Sequence, residues 1–255
     1  MKHKIPAAFL ATSAILASVA LSEPAYSQTY IVGSVGSDYV SRGTSQTFGN
    51  PAVTVYAEHQ FKNGFYIAGF AANVDFDNKF VEDTFGDDGT GLEADAFTGY
   101  RGKVGSFDYD AGLAFITYVG TKPTPGYNPS GNWNMVEAKL AIRHAVGPAT
   151  VTATVGITPD YFNNYGKSTW TEISGMVPLT KSLTASGGLG HQHFFEKSET
   201  GFPASLSNYT TWNAGLTYSL TPRVSVDVRY FDNATKINLG PIYKPRAVFT
   251  LKRSF

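Results

Sequence analysis

The sequence predicts an all-β chain: a transmembrane, antiparallel, up-and-down β-barrel of about twelve strands, with ten and fourteen as the alternatives. Three observations predict it. Side chains alternate with period two along most of the chain, short and long connections take turns between the strands, and the last strand alternates up to a terminal Phe255. No stretch combines a helical period with a cap at each end.

The alternation is clearest in four places. Ala149, Val151, Ala153, Val155 and Ile157 alternate with Thr150, Thr152, Thr154, Gly156 and Thr158. Similar patterns start at Phe107, at Thr211 and at Val224. One face is apolar and the other is small or polar. A soluble sandwich also alternates, but its solvent face is usually rich in Lys and Glu. Gly, Ser, Thr and a few charges of both signs suit the crowded inside of a barrel instead.

The connections carry a separate signal. Short turns fall at 62–64, around Gly105, at 147–148, near 181–182 and at 221–223. Longer segments fall between them at 41–50, 78–91, 120–132, 163–168, 195–207 and 232–245. Short turns on one side and long loops on the other are the pattern of outer-membrane barrels, the short side being periplasmic. An even strand number places both ends of the barrel on that side. Trp133, Trp170 and Trp212 near the long loops, and Phe61, Phe65, Phe107, Tyr218 and Phe255 near the short turns, are expected to form the two interface belts.

The ends of the chain agree with this reading. Residues 1–27 read as a secretory signal, with Lys2, His3 and Lys4 ahead of an apolar run and Ala25-Tyr26-Ser27 as the cleavage site. The barrel is then expected over 28–255. At the other end Phe249, Leu251 and Phe255 share one face of the last strand, which resembles the signal by which the barrel-assembly machinery selects its clients. The expected location is the outer membrane of a Gram-negative bacterium. Outer-membrane lipid and lipopolysaccharide are then the surrounding partners.

Composition narrows the function. The chain has no Cys, which excludes disulfides and thiolate metal sites, and its formal net charge of zero gives no case for nucleic acid. Parity along the strands points Glu58, Glu93, Asp95, Asp108, Asp110, Glu137, Glu172 and Asp227 inward, with Arg101, Lys139, Arg143, Arg229 and Lys252. Charges inside a membrane span persist when paired or when lining water. These side chains are therefore the expected lumen lining, either a salt-bridged plug or a polar, slightly cation-favouring pore. Arg42, flanked by Ser41, Gly43 and Thr44, opens the first long loop and is read either as a solvated loop arginine or as one that folds inward against the acidic wall and narrows the lumen.

Other constellations are weaker. Asp75, Asp77, Glu82, Asp83, Asp87, Asp88, Glu93 and Asp95 face a single base, Lys79, but the spacing fits no EF-hand. His191 and His193 share a strand face without a third ligand, and His59 and His144 stand apart. Gly187-Gly188-Leu189-Gly190 is followed by no helix, so it is read as close strand packing rather than a phosphate loop. No metal, no cofactor and no catalytic set is expected.

Ser37-Asp38-Tyr39-Val40-Ser41-Arg42-Gly43-Thr44-Ser45-Gln46-Thr47, followed by Asn50-Pro51-Ala52, resembles the opening of the TorF-type porin family of proteobacteria. The resemblance continues through Gly64 to Phe76, Ala96 to Gly102, Phe107 to Gly112 and Gly188 to His191. It implies an outer-membrane barrel with channel activity and brings no catalytic residues. The expected function is passive diffusion of small polar or charged solutes. The competing expectation is a closed structural or adhesion barrel acting through its outer loops. Barrels of this class also assemble as homo-oligomers, and the sequence marks no interface for that.

Overall fold

The computed structural model describes residues 27–75, 91–122, 133–195, 208–234 and 241–255. Twelve strands close into a barrel in which every strand pairs antiparallel with its neighbour in the chain. The first three are β1 (Gln28–Gly36), β4 (Ala52–Gln60) and β5 (Phe65–Asn73). Next come β6 (Leu92–Val104), β7 (Phe107–Val119), β8 (Met135–Val146) and β9 (Ala149–Thr158). The circuit ends with β10 (Ser168–Pro178), β11 (Leu183–Phe194), β12 (Tyr209–Thr221), β13 (Val224–Asn233) and β14 (Arg246–Ser254). Closure comes from β1 on β14, with Val32 opposite Ser254 and Gly36 opposite Thr250. The barrel sheet, being closed, offers no edge for another chain to pair with. Two very short strands, β2 (Val40–Ser41) and β3 (Thr44–Ser45), form a separate hairpin in the first long loop.

The period-two pattern explains the barrel's two surfaces. Ile31, Val53, Ile173, Leu189, Phe249 and Leu251 point outward and are between 41% and 63% exposed. An apolar exterior of this extent, running around a closed barrel, is the solution for a sheet that meets hydrocarbon. The short turns use glycine where the backbone turns left-handed. Gly64 has φ +87°, and a Cβ there would lie 2.3 Å from the Arg101 carbonyl oxygen.

Two of the three tryptophans do not join an outer belt. Trp170 is only 3% exposed and points inward, two residues from Glu172 on the same face of β10. Trp133 packs against the interior aromatic cluster, its ring 6.0 Å from that of Tyr118 and 5.9 Å from that of Phe162. Trp212 alone of the three faces outward, beside Tyr230. Strand parity, not closeness to a loop, decides which way an aromatic side chain points. The segment 1–26, with the expected signal peptide, and Asp77, Lys79, Glu82, Asp83, Asp87 and Asp88 of the second loop lie outside the described residues.

Candidate solute pathway

The interior is built in two unlike halves. On the β4–β8 side, Tyr56, Tyr66, Phe70, Phe97, Ala114 and Met135 point inward and are buried. Below them Arg101 is fully buried, donating to Glu58 through Nη1 at 2.5 Å and to Asp110 through Nε at 3.0 Å. Its guanidinium lies 4.0 Å from the Tyr66 ring centroid. Tyr56 donates to Glu58 at 2.5 Å and Tyr66 to Asp110 at 2.9 Å, so every oxygen of the two carboxylates has a donor. Gly99 and Gly112 make room for the Tyr66 hydroxyl, which would stand 2.6 and 2.7 Å from a Cβ at either position. This half is packed shut.

The opposite half is lined by short side chains. Thr154, Ser174, Ser186, Gly188 and Asn213 on β9–β12 point inward and are only half-buried. Arg229 holds part of this wall, donating to Asn213 Oδ1 and Ser186 Oγ at 2.7 Å each. A barrel of twelve strands lies between filled eight-stranded barrels and open porins. Here one side is filled with aromatic rings and the other is lined by short, partly exposed side chains.

The first loop enters the lumen. Arg42 and Gly43 form the two-residue turn of the β2–β3 hairpin, both with positive φ, +49° and +76°. Such turns match the twist of paired strands. An arginine in this conformation is strained by about 1–2 kcal/mol, a cost that persists where surroundings fix it. Those surroundings are visible. Arg42 Nη2 donates to both carboxylate oxygens of Glu137 on β8 at 2.7 Å. Its guanidinium sits 5.1 Å from the Trp170 ring centroid on β10. Gly43 accepts from Asn233 Nδ2 at 2.5 Å on β13 and presses so closely on Thr211 of β12 that a Cβ would lie 2.1 Å from its hydroxyl oxygen. Toward the other wall, Tyr39 meets Phe70 with ring centroids 5.8 Å apart, and Tyr118 donates to Gln46 at 3.2 Å. At the root, Asp38 accepts from Ser45, Thr47 and Arg246. The hairpin therefore braces against both sides of the lumen. A cavity of about 30 Å³, room for about two waters, lies between its root and the β1, β4 and β14 wall beside Tyr39, Thr54 and Lys252. Burial alone would lower the pKa of Arg42, but Glu137 beside it pulls the other way and prevails, so the pKa rises.

All thirteen inward positions expected from the sequence can be placed. Glu58, Arg101, Asp110 and Lys139 form one network, with Lys139 Nζ 3.9 Å from Asp110. Asp108 pairs with Lys103, and Asp227 pairs with Arg229 at 3.2 Å. Arg42 and Glu137 form the hairpin contact. Glu93 accepts from the Tyr39 hydroxyl at 3.3 Å, and its carboxyl hydrogen-bonds that of Asp95 on the same face of β6. Arg143 Nε and Nη2 are buried without an acceptor. Glu172 lies inward opposite Gly190. The predicted excess of lumen acid is reduced by pairing with Lys103 and Arg42, which the strand count alone left out, while Arg246 pairs with Asp38, an acid outside that count. His191 and His193 face outward, and among the described residues no cluster of three or more acids and histidines could hold a metal.

Residues 21–255 match the family described as "Bacterial protein of unknown function (Gcw_chp)". The chain belongs to the Gcw_chp family. No curated protein matches the chain. Among solved structures, this Gcw_chp chain is similar to the KdgM porin, at 13% identity and TM-score 0.57, over 89% of this chain and 99% of that one. It is also similar to the COG4313 outer membrane channel from Pseudomonas putida F1, at 12% identity and TM-score 0.51, over 90% of this chain and 96% of that one. The NanC porin gives 10% identity and TM-score 0.51, over 89% and 99%. What the Gcw_chp chain shares with these proteins is the barrel fold. Inside that fold, sequence reasoning missed the aromatic half of the lumen and the seat of the hairpin on Trp170, Thr211 and Asn233. Parity would have placed Tyr56, Tyr66, Phe70 and Phe97 inside, had the lumen not been taken as polar throughout.

Proposed function

We propose that this protein is an outer-membrane channel of a Gram-negative bacterium that lets small polar or charged solutes diffuse passively across the barrel. One observation carries the reading: a closed twelve-strand barrel, apolar outside, keeps a half-exposed polar wall inside along β9–β12. The channel folds of similar solved structures support it, as does the TorF-type resemblance. On this reading the N-terminal segment is a cleaved export signal, the barrel-assembly machinery inserts the chain, and lipopolysaccharide surrounds its outer rim. The hairpin bearing Arg42 sets the size limit, and the charges of the wall set the preference among ions. The lumen residues named above are then the pore lining.

A second reading is favoured by the same hairpin. Braced across the mouth beside a packed aromatic half, it suits a closed barrel that works through its loops. Liposome swelling separates the two. Folded protein in vesicles should let small neutral and charged solutes in and exclude larger ones. Vesicles that never swell, although the barrel is folded and heat-modifiable, would favour the closed reading.

A further inference from the structure

The mouth of the half-open side contains polar groups with no partner. Gln192 points inward on β11 between Trp170 and Tyr209, is 0% exposed, and neither its Oε1 nor its Nε2 has a hydrogen-bond partner. The hydroxyl of Ser168, one strand over and 1% exposed, is also without a partner. Leaving such groups unmade costs about 1–3 kcal/mol each, so three in one place need a reason. Their surroundings are aromatic. The outer edge of the Trp170 indole lies over Gly190, where a Cβ would be 2.3 Å from two of its ring carbons. Trp170, Phe194 and Tyr209 form one cluster, with Tyr161 and Tyr243 packed against it. Arg42 and Gly43 of the hairpin rest on Trp170 and Thr211, which covers the group.

Beneath this group the wall continues in the same chemistry. Thr154, Ser174, Ser186 and Asn213 present hydroxyls and an amide over the small floor of Gly188. The charges nearby already have partners: Arg42 pairs with Glu137, Arg229 with Asp227, and Glu172, inward on β10 between Trp170 and Ser174, is engaged as well. Flat aromatic faces, an unpaired amide and hydroxyls, with no free charge among them, match a solute that has an apolar ring face and a rim of hydroxyl groups.

We propose that Trp170, Gln192, Ser168 and Tyr209 form a mouth subsite for uncharged polyhydroxylated solutes, saccharides in the first instance, which the Arg42 hairpin covers and which leads onto the Thr/Ser wall. Solute hydroxyls take up the amide and hydroxyl of Gln192 and Ser168 when the hairpin tip lifts. A site built to hydrogen-bond hydroxyls rejects analogues that lack them. This rests on the channel reading.

The test is block of potassium chloride current through the full mature barrel in a planar bilayer. A neutral disaccharide should block in a concentration-dependent way, and more strongly than a dicarboxylate or a diamine of similar size. Gln192→Leu should raise the half-blocking concentration about tenfold, the worth of one or two hydrogen bonds. Ser168→Ala should raise it less, and serves if the first variant does not fold. Current with no block, or equal block by all three solutes, overturns the proposal and leaves the channel standing. Unchanged block in Gln192→Leu, together with higher thermal stability, makes the unpaired amide a packing defect only and also overturns it. Absence of any current overturns the channel reading and this inference with it.

Discussion

Arg42→Ala removes the hairpin's anchor, and the structure sets the size of the effect. Arg42 and Glu137 side chains are 17% and 6% exposed, so the pair is shielded but not sealed. Without the guanidinium, Glu137 keeps only the Thr158 hydroxyl at 3.4 Å. Breaking a fully buried pair costs about 3–5 kcal/mol, and the partial exposure discounts that to roughly 2–3 kcal/mol. Loss of the cation–π contact with Trp170 adds roughly 0.5–1 kcal/mol. Alanine at φ +49° keeps the backbone strain, so nothing is recovered there. The docked hairpin thus loses about 3 kcal/mol, on the order of a hundredfold in its population. Single-channel recording should show larger or longer openings in the variant. A double-mutant cycle with Glu137→Gln should return a coupling above about 1 kcal/mol. Identical conductance and lifetimes, with coupling near zero, would refute the hairpin as the constriction. Because the Arg42 pKa is shifted upward, raising the pH from about 7 to about 10 should leave the Arg42–Glu137 ion pair intact.

Three other substitutions probe the rest of the interior. Arg101→Leu strands Glu58 and Asp110 in the packed half and should destabilise the barrel by about 3–5 kcal/mol, read as a lower denaturant midpoint in detergent. An unchanged midpoint would mean that the network carries no stability. Gly43→Val puts a side chain into Thr211 at φ +76° and should open the channel as Arg42→Ala does, without any change of charge. Wild-type conductance in this variant would show that the tip does not need to seat on β12. Replacing Glu137 and Glu172 together by Gln leaves Arg42 without its carboxylate and should move the reversal potential in a salt gradient toward anions. No movement would mean that neither group faces the conducting path.

Much of the fold was legible because a barrel strand repeats every two residues and each face meets one solvent. That is why β9, with Val and Ile on one face and Thr on the other, could be read directly. The alternation of short and long connections supplied the strand number. The lumen was less legible. Its aromatic half breaks the rule that a barrel interior is polar, since Tyr66 packs on Arg101 and Phe70 on Tyr39 rather than meet water. Trp170 was assigned by its distance from a loop, whereas its parity with Glu172 already turned it inward. Arg42 could be expected to turn inward, but its partners come from strands more than ninety residues away, and only barrel closure brings them together. Charge pairing across the lumen is invisible in sequence for the same reason, so counting acids against bases could not show which of them neutralise each other.

The central claim is that the barrel holds an open path beside a packed half, narrowed by the hairpin. Single-channel conductance of the refolded chain, recorded alongside Arg42→Ala in the same bilayer, tests it most directly. The account predicts small, reproducible steps for the natural sequence and larger ones for the variant. Silence from both, in protein shown to be folded by its heat-modifiable mobility, would contradict it.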